Sequence, residues 1–328
     1  MILALSFFMV GLVFLVKGAD VFVESAARLA RIIGVSELVV GLTIIAIGTS
    51  LPELSASVVA ASTGNPELAL GNVLGSNAAN IGLILGITAF FLVIAVDEVL
   101  FWRDGVIMLG LTLVTALLAL DGILTQFDGL VLLVIFVLYI VILFKLQPRF
   151  KHLYHFHEFF RDFLAMDPTF LRKLHLPSAK QGVGKEFGLI LLGGMAVLMG
   201  AHLLVEGAIS IALFFSLPQS LVGFTIVAVG TSLPELMVAV TSMRKGYANI
   251  VVGNVIGSNI ANLGVVLGLA AFVAPIKVHQ DVLSSTLPFL ILLSVLSLVF
   301  LKSGWKLEKI EGIIILILYL GFMAWTIL

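Results

Sequence analysis

The chain has 328 residues, 61% of them hydrophobic and only 11% charged, with a formal net charge of −1 and no cysteine. Soluble domains carry about a quarter charged residues, so this is the composition of a membrane protein. It excludes a disulfide framework and a thiolate metal site, and it offers no sign of a nucleic-acid partner.

Apolar runs of about 20 residues, enough to cross about 30 Å of hydrocarbon, recur along the whole length. The first begins at Met1 without a basic flank or a small-residue cleavage site, and reads as a retained helix. Taken in order, the predicted helices of the first half (residues 1–147) are 2–31, 36–63, 67–95, 100–120 and 124–147. Those of the second half (residues 186–328) are 186–215, 218–243, 249–276, 282–302 and 309–327. The first span of each half is longer than a bilayer requires, which implies tilt or a protruding end.

The linker between the halves, 148–185, carries KHLYHFHEFFRDFL near its start, a mixture of basic, histidine and aromatic residues suited to an interfacial helix on membrane lipid. His152, His155 and His157 do not share one helical face, so a headgroup-contacting helix is the better reading than a metal site. The linker is too short for a separate ion-sensing domain. Charge sets the orientation. With the N-terminus outside, 16 of the 18 Lys and Arg fall in inward loops, and only Lys17 and Lys277 do not. The expected topology is N-out, C-out, with the main loop cytoplasmic.

The halves align without a gap at an offset of 182 residues. GTSLPEL at Gly48–Leu54 recurs letter for letter at Gly230–Leu236, and GNVLGSNAANIG at Gly71–Gly82 matches GNVIGSNIANLG at Gly253–Gly264 at nine of twelve positions. Five spans is an odd number, so the second half enters the membrane from the opposite side. The fold expected is all-α, ten transmembrane helices arranged as two inverted-topology five-helix repeats, the plan of many secondary transporters.

Each GTSLPEL sets a helix breaker and a carboxylate inside an apolar run. Pro52 and Pro234 lack the N–H that would bond the carbonyls of Gly48 and Gly230, and oxygens so freed must face protein, water or ligand. A helical turn gathers Thr49 and Ser50 around Glu53, and Thr231 and Ser232 around Glu235. A buried carboxylate costs several kcal/mol unless neutralised. Asn72, Ser76 and Asn80 stand at i, i+4 and i+8, as do Asn254, Ser258 and Asn262, giving a second wall of amide and hydroxyl oxygens. An anionic nest made only of oxygen suits hard cations such as Ca²⁺ and Na⁺. Two carboxylates balance one Ca²⁺, or hold two or three Na⁺ with neutral oxygens completing the shells. Single polar residues often serve only to pack membrane helices. A Pro-Glu pair with hydroxyls, duplicated at equivalent positions, argues for a site.

These motifs resemble those of the cation/Ca²⁺ exchanger superfamily, and within it the prokaryotic sodium/calcium exchangers, over nearly the whole chain. The resemblance implies an antiporter working by alternating access, in which the first and sixth helices slide against an eight-helix core. It implies that Glu53 and Glu235 bind Ca²⁺ and share the Na⁺ sites, and that Thr49, Ser50, Thr231 and Ser232 supply hydroxyl or carbonyl ligands. Ser76 and Ser258 match Na⁺ ligands, Ala46 and Ala228 match positions giving backbone carbonyls, and Asn80 and Asn262 match the polar pair of the central site. Some relatives, among them the potassium-dependent exchangers, carry Asp where this chain has Asn262, which argues against K⁺ cotransport. No glutamate follows Asn72 or Asn254 as in the proton-coupled exchangers, so Na⁺ coupling is favoured. The resemblance further implies a prokaryotic cell-membrane protein with no cofactor beyond its transported Ca²⁺ and Na⁺ and no obligate protein partner. With the family's three-to-one stoichiometry, each cycle moves one net charge, worth about 2.3 kcal/mol per 100 mV. The rival readings are a Ca²⁺/H⁺ or other divalent-cation antiporter, a channel, and an intramembrane hydrolase using the carboxylates as acid and base.

Overall fold

A computed structural model describes residues 2–96, 98–145, 182–214 and 228–327. In chain order its helices are α1 (Ile2–Ile33), α2 (Glu37–Thr49), α3 (Leu51–Ser62), α4 (Pro66–Phe91), α5 (Leu100–Leu118) and α6 (Gln126–Lys145). They continue as α7 (Val183–Phe214), α8 (Ala228–Thr231), α9 (Leu233–Arg244), α10 (Ala248–Val273), α11 (Val282–Lys302) and α12 (Lys309–Ile327). Eight of these are long and apolar enough to cross a membrane, and α2 with α3 forms a ninth candidate bent by 44°. The first part of the predicted seventh span (218–227) and nearly all of the linker, including His152, His155 and His157, lie outside the described residues.

Helices α4 and α10 end at Phe91 and Val273, short of the expected 95 and 276. The chain there becomes extended instead. Strand β1 (Ile94–Ala95) pairs antiparallel with β4 (Lys306–Leu307), and β2 (Ile123–Leu124) pairs with β3 (Ile276–Lys277). Each pair joins a loop of the first half to a loop of the second and satisfies backbone groups that a helix end leaves bare. Helix starts are capped in a similar way: Asp128 accepts from the Thr125 N–H at 2.7 Å, and Glu311 from the Glu308 N–H at 2.8 Å.

The long helices α1 and α7 run antiparallel and touch backbone to backbone. A Cβ added at Gly11 would lie 2.4 Å from the Leu204 nitrogen, and one at Gly200 would lie 2.4 Å from that of Leu15. Gly18 faces Val197, and Gly193 faces Phe22, as closely as 2.8 and 2.7 Å. Gly11 and Gly18, like Gly193, Gly200 and Gly207, are seven residues apart, so they form one stripe per helix. Small residues let membrane helices approach where lipid gives no hydrophobic drive to pack.

Helices α4 and α10 form the centre. Of their apolar windows 78% and 83% are buried, against 17% for α12. Gly82 and Gly86 admit Tyr319 and Leu316 of α12, while Gly264 and Gly268 admit Phe136 and Leu133 of α6. Both central helices carry a π turn at equivalent positions, Asn80–Leu85 and Asn262–Leu267. Such turns re-aim side chains and recur at functional sites.

At one end of the bundle Lys245, just after α9, reaches Glu24 at 2.5 Å and Asp20 at 3.3 Å on α1. The Glu24 carboxylate holds the Lys245 ammonium above its ordinary range. Arg28 joins Glu24 at 3.3 Å to Glu186 of α7 at 2.9 Å. Asp20 and Glu24, carboxylates on the long first helix, are therefore both ion-paired. Lys245, Asp20, Glu24 and Arg28 are partly exposed, so each pair among them contributes no more than about 1 kcal/mol.

The close α1–α7 contact sets a first test. Gly200→Ala forces a methyl into the Leu15 backbone and should cost about 1–3 kcal/mol, read as a lower melting temperature in detergent. Gly184→Ala on the same helix, where the added Cβ meets nothing within 4 Å, should leave the melting temperature within error.

Candidate cation site

The two GTSLPEL segments fold alike. The helix breaks at Ser50 (φ −81°, ψ 5°) between α2 and α3, and at Ser232 (φ −88°, ψ 5°) between α8 and α9. Pro52 and Pro234 then occupy the first turn of the helix that follows, where a missing N–H is harmless. The break turns Glu53 and Glu235 inward, and both are fully buried.

Each carboxylate has a different neighbourhood. Ser76 on α4 donates to Glu53 Oε1 at 3.4 Å, while Glu53 Oε2 has no hydrogen-bond partner among the described residues. Glu235 has none on either oxygen. Oγ of Ser50 and of Ser232 and Oδ1 of Asn80 and of Asn262 are likewise buried and unpartnered.

Thr49 links the halves. Its hydroxyl lies 3.2 Å from both Asn254 Oδ1 and the Ala46 carbonyl, either of which can accept its one proton, and 3.4 Å from Ser258 Oγ. The Ala46 carbonyl also accepts from Ser258 Oγ at 3.4 Å. Asn72 differs from its counterpart: its amide is tied to the Glu53 carbonyl at 3.3 Å and to Ser57 Oγ at 3.0 Å. In the second half Ala239 stands at the position equivalent to Ser57, and the Asn254 amide nitrogen is unpartnered. Thr231 is half-buried beside Ser232. Ala228 opens α8, and its side chain lies outside the described set.

Two residues escaped the sequence reading. Asn77 and Asn259, the last residues of the two GSN motifs, are buried where α4 crosses α10. Asn80 Nδ2 donates to Asn259 Oδ1, and Asn262 Nδ2 donates to Asn77 Oδ1, both at 3.1 Å. They sit off the i, i+4, i+8 stripe that singled out Asn72, Ser76 and Asn80. Their only sequence signal was identity between the repeats.

Buried acceptors without donors are costly, at about 1–3 kcal/mol each and more when charged. Here seven such oxygen atoms, three of them from carboxylates, belong to residues of the repeated motifs. A cation, a proton or ordered water would satisfy them.

A sequence profile described as "Sodium/calcium exchanger protein" matches residues 3–145 and 185–328. The chain belongs to the sodium/calcium exchanger family. Among relatives in this family, the sodium/calcium exchanger MaX1 of Methanosarcina acetivorans is 37% identical over 336 residues, covering 96% of each chain. The inner membrane protein YrbG of Escherichia coli is 33% identical, over 99% of this chain and 96% of its own. A solved structure of the sodium-calcium exchanger NCX_Mj, soaked with Na⁺ and Ca²⁺, superposes with a TM-score of 0.83 at 33% identity. That match covers 99% of this chain and 98% of the other.

In an exchanger whose Ca²⁺ is held by two carboxylates, protons must leave as the ion enters. Acidification should therefore raise the apparent Ca²⁺ dissociation constant, the logarithmic slope approaching about two per pH unit on the acid side. Calorimetry across a pH series reads this slope, and a slope of zero would remove both glutamates from the site.

Proposed function

We propose that this family member is a secondary antiporter that exchanges Na⁺ for Ca²⁺, with Glu53 and Glu235 as its paired charged ligands. The observation that carries the reading is the pair of fully buried carboxylates with three of four oxygens unpartnered. Hydroxyl and amide oxygens from both halves surround them. Thr49, Ser50, Thr231 and Ser232, then Ser76, Ser258, Asn80 and Asn262, with the carbonyls of Ala46 and Ala228, complete the shells for Ca²⁺ or Na⁺. Asn254 contributes through Thr49, and Asn72 chiefly braces Glu53. The protein carries out no enzymatic step in this scheme, and membrane lipid is its surrounding solvent.

The architecture in this proposal is ten spans in two inverted five-helix repeats, 1–147 and 186–328, joined by the cytoplasmic linker 148–185. Support comes from elements that recur at an offset of 182 residues: α3 with α9, α4 with α10, and their π turns. Further support comes from the strand pairs. Each links two loops that the distribution of Lys and Arg assigns to the same side of the membrane. The Lys245–Glu24 and Arg28–Glu186 contacts also join groups assigned to the inward side. With an inside-negative potential in a prokaryotic cell membrane, inward Na⁺ then expels Ca²⁺.

Proton coupling is the second reading, because a buried unpartnered carboxylate satisfies itself equally with H⁺. The test is ⁴⁵Ca²⁺ uptake into Na⁺-loaded proteoliposomes, with wild type beside Glu53→Gln and Glu235→Gln. Uptake should require internal Na⁺, ignore K⁺, and fall at least about a hundredfold in each variant, since removing one charge from a buried ion site costs about 3–5 kcal/mol. Uptake driven by a pH gradient without Na⁺ would move the protein to the proton-coupled class. Transport surviving in both variants would sink the site.

A further inference from the structure

The reciprocal amide contacts between α4 and α10 carry a consequence for ion binding, which rests on the exchange reading above. An asparagine side chain ends in one acceptor and two donors, and only the oxygen can face a cation. Asn80 and Asn262 open the two π turns with Oδ1 buried and unpartnered, while each Nδ2 is engaged across the helix crossing. We propose that Asn77 and Asn259 are positioning residues that hold the Asn262 and Asn80 amides oxygen-inward, so that both side chains present acceptors rather than N–H groups to the cation.

The two arms are anchored differently. Asn77 Nδ2 donates at 3.2 Å to the backbone carbonyl of Asn259. A carbonyl can only accept, so it fixes the Asn77 amide nitrogen on that side and turns Asn77 Oδ1 toward Asn262. Orientation therefore passes from an unflippable backbone group, through Asn77, to the Asn262 oxygen. On the other arm, among the described residues, Asn259 Nδ2 has only the Met108 sulfur, at 3.5 Å, and a thioether is a weak acceptor. The Asn262 oxygen is thus held more firmly than the Asn80 oxygen, although the two asparagines occupy equivalent positions in the repeat.

A carboxylate has two like oxygens and no face to choose, so replacing the positioned amide by an acid makes its orienting partner superfluous. Worse, Asn77 Oδ1 would then point at a carboxylate oxygen. The experiment is a double-mutant cycle on the full-length protein in proteoliposomes, reading the Ca²⁺ concentration for half-maximal Na⁺-driven uptake, with melting temperature followed in parallel. In the native background Asn77→Leu should raise that concentration about three- to tenfold, the worth of one lost hydrogen bond. In an Asn262→Asp background the same change should have no cost or should lower the concentration. If Asn77→Leu does not fold, Asn77→Ser, too short to reach Asn262 yet able to accept locally, takes its place in the cycle. Equal costs in the two backgrounds assign Asn77 to packing and overturn the proposal, as does an unchanged half-maximal concentration in the native background. Wild type that exchanges Ca²⁺ for Na⁺ in either of those cases leaves the exchange reading standing, whereas wild type without exchange removes that reading itself.

Discussion

Two carboxylates buried in the middle of an apolar bundle are the constraint on which the rest of this structure depends. Leaving an ionised group without partners in such surroundings costs several kcal/mol, a large share of the roughly 5–15 kcal/mol by which a protein is stable. The charge must be met by a cation or a proton, and the fold is organised so that it can be. Helix breaks at Ser50 and Ser232 turn Glu53 and Glu235 to the interior. The central helices α4 and α10 bring hydroxyls and amides against them, and glycines at 82, 86, 264 and 268 let α12 and α6 close over the outside of those helices.

The two halves are alike in plan and unlike in detail. Equivalent residues break the helix, carry the carboxylate and open the π turn. Around that frame, among the described residues, Glu53 has a serine donor and Glu235 has none, Asn72 is braced by Ser57 while the Asn254 amide nitrogen opposite Ala239 has no partner, and Thr49 reaches across to Asn254 and Ser258. A site of perfect twofold symmetry would hold its ligands with the same strength on both sides. These differences give the first half the more tightly bonded carboxylate and the second half the freer one.

Outside the core, α1 and α7 meet along a stripe with almost no side chains between them. The pair joins the core through an apolar cluster in which Phe22, Val23 and Ala26 of α1 pack with Val40, Ile45, Val238 and Ile250, and at one end through the contacts of Lys245 with Glu24 and Asp20. Ion pairs at a wet helix end are weak and can be remade.

Much of this was legible beforehand. Apolar length marked the spans, the identical GTSLPEL segments marked the breaks and carboxylates, and i, i+4, i+8 spacing marked the polar stripe, because all three depend on residues near one another in the chain. Where extended pairs would shorten α4 and α10 could not be read, since β1 and β2 find their partners about 210 and 150 residues away. The roles of Asp20 and Glu24 were hidden for the same reason, their partner Lys245 being on another helix. Asn77 and Asn259 show the division most clearly. Sequence identified them as repeated polar residues, but an amide's donor and acceptor ends look alike to sequence spacing. Only the crossing of α4 over α10 decides which end each one offers. The sequence by itself determined the membrane class, the duplicated motifs and the chemistry of the cation site, because composition and local spacing carry them. The tertiary structure alone decided which oxygens remain without partners, because that depends on what the other half of the chain brings into reach.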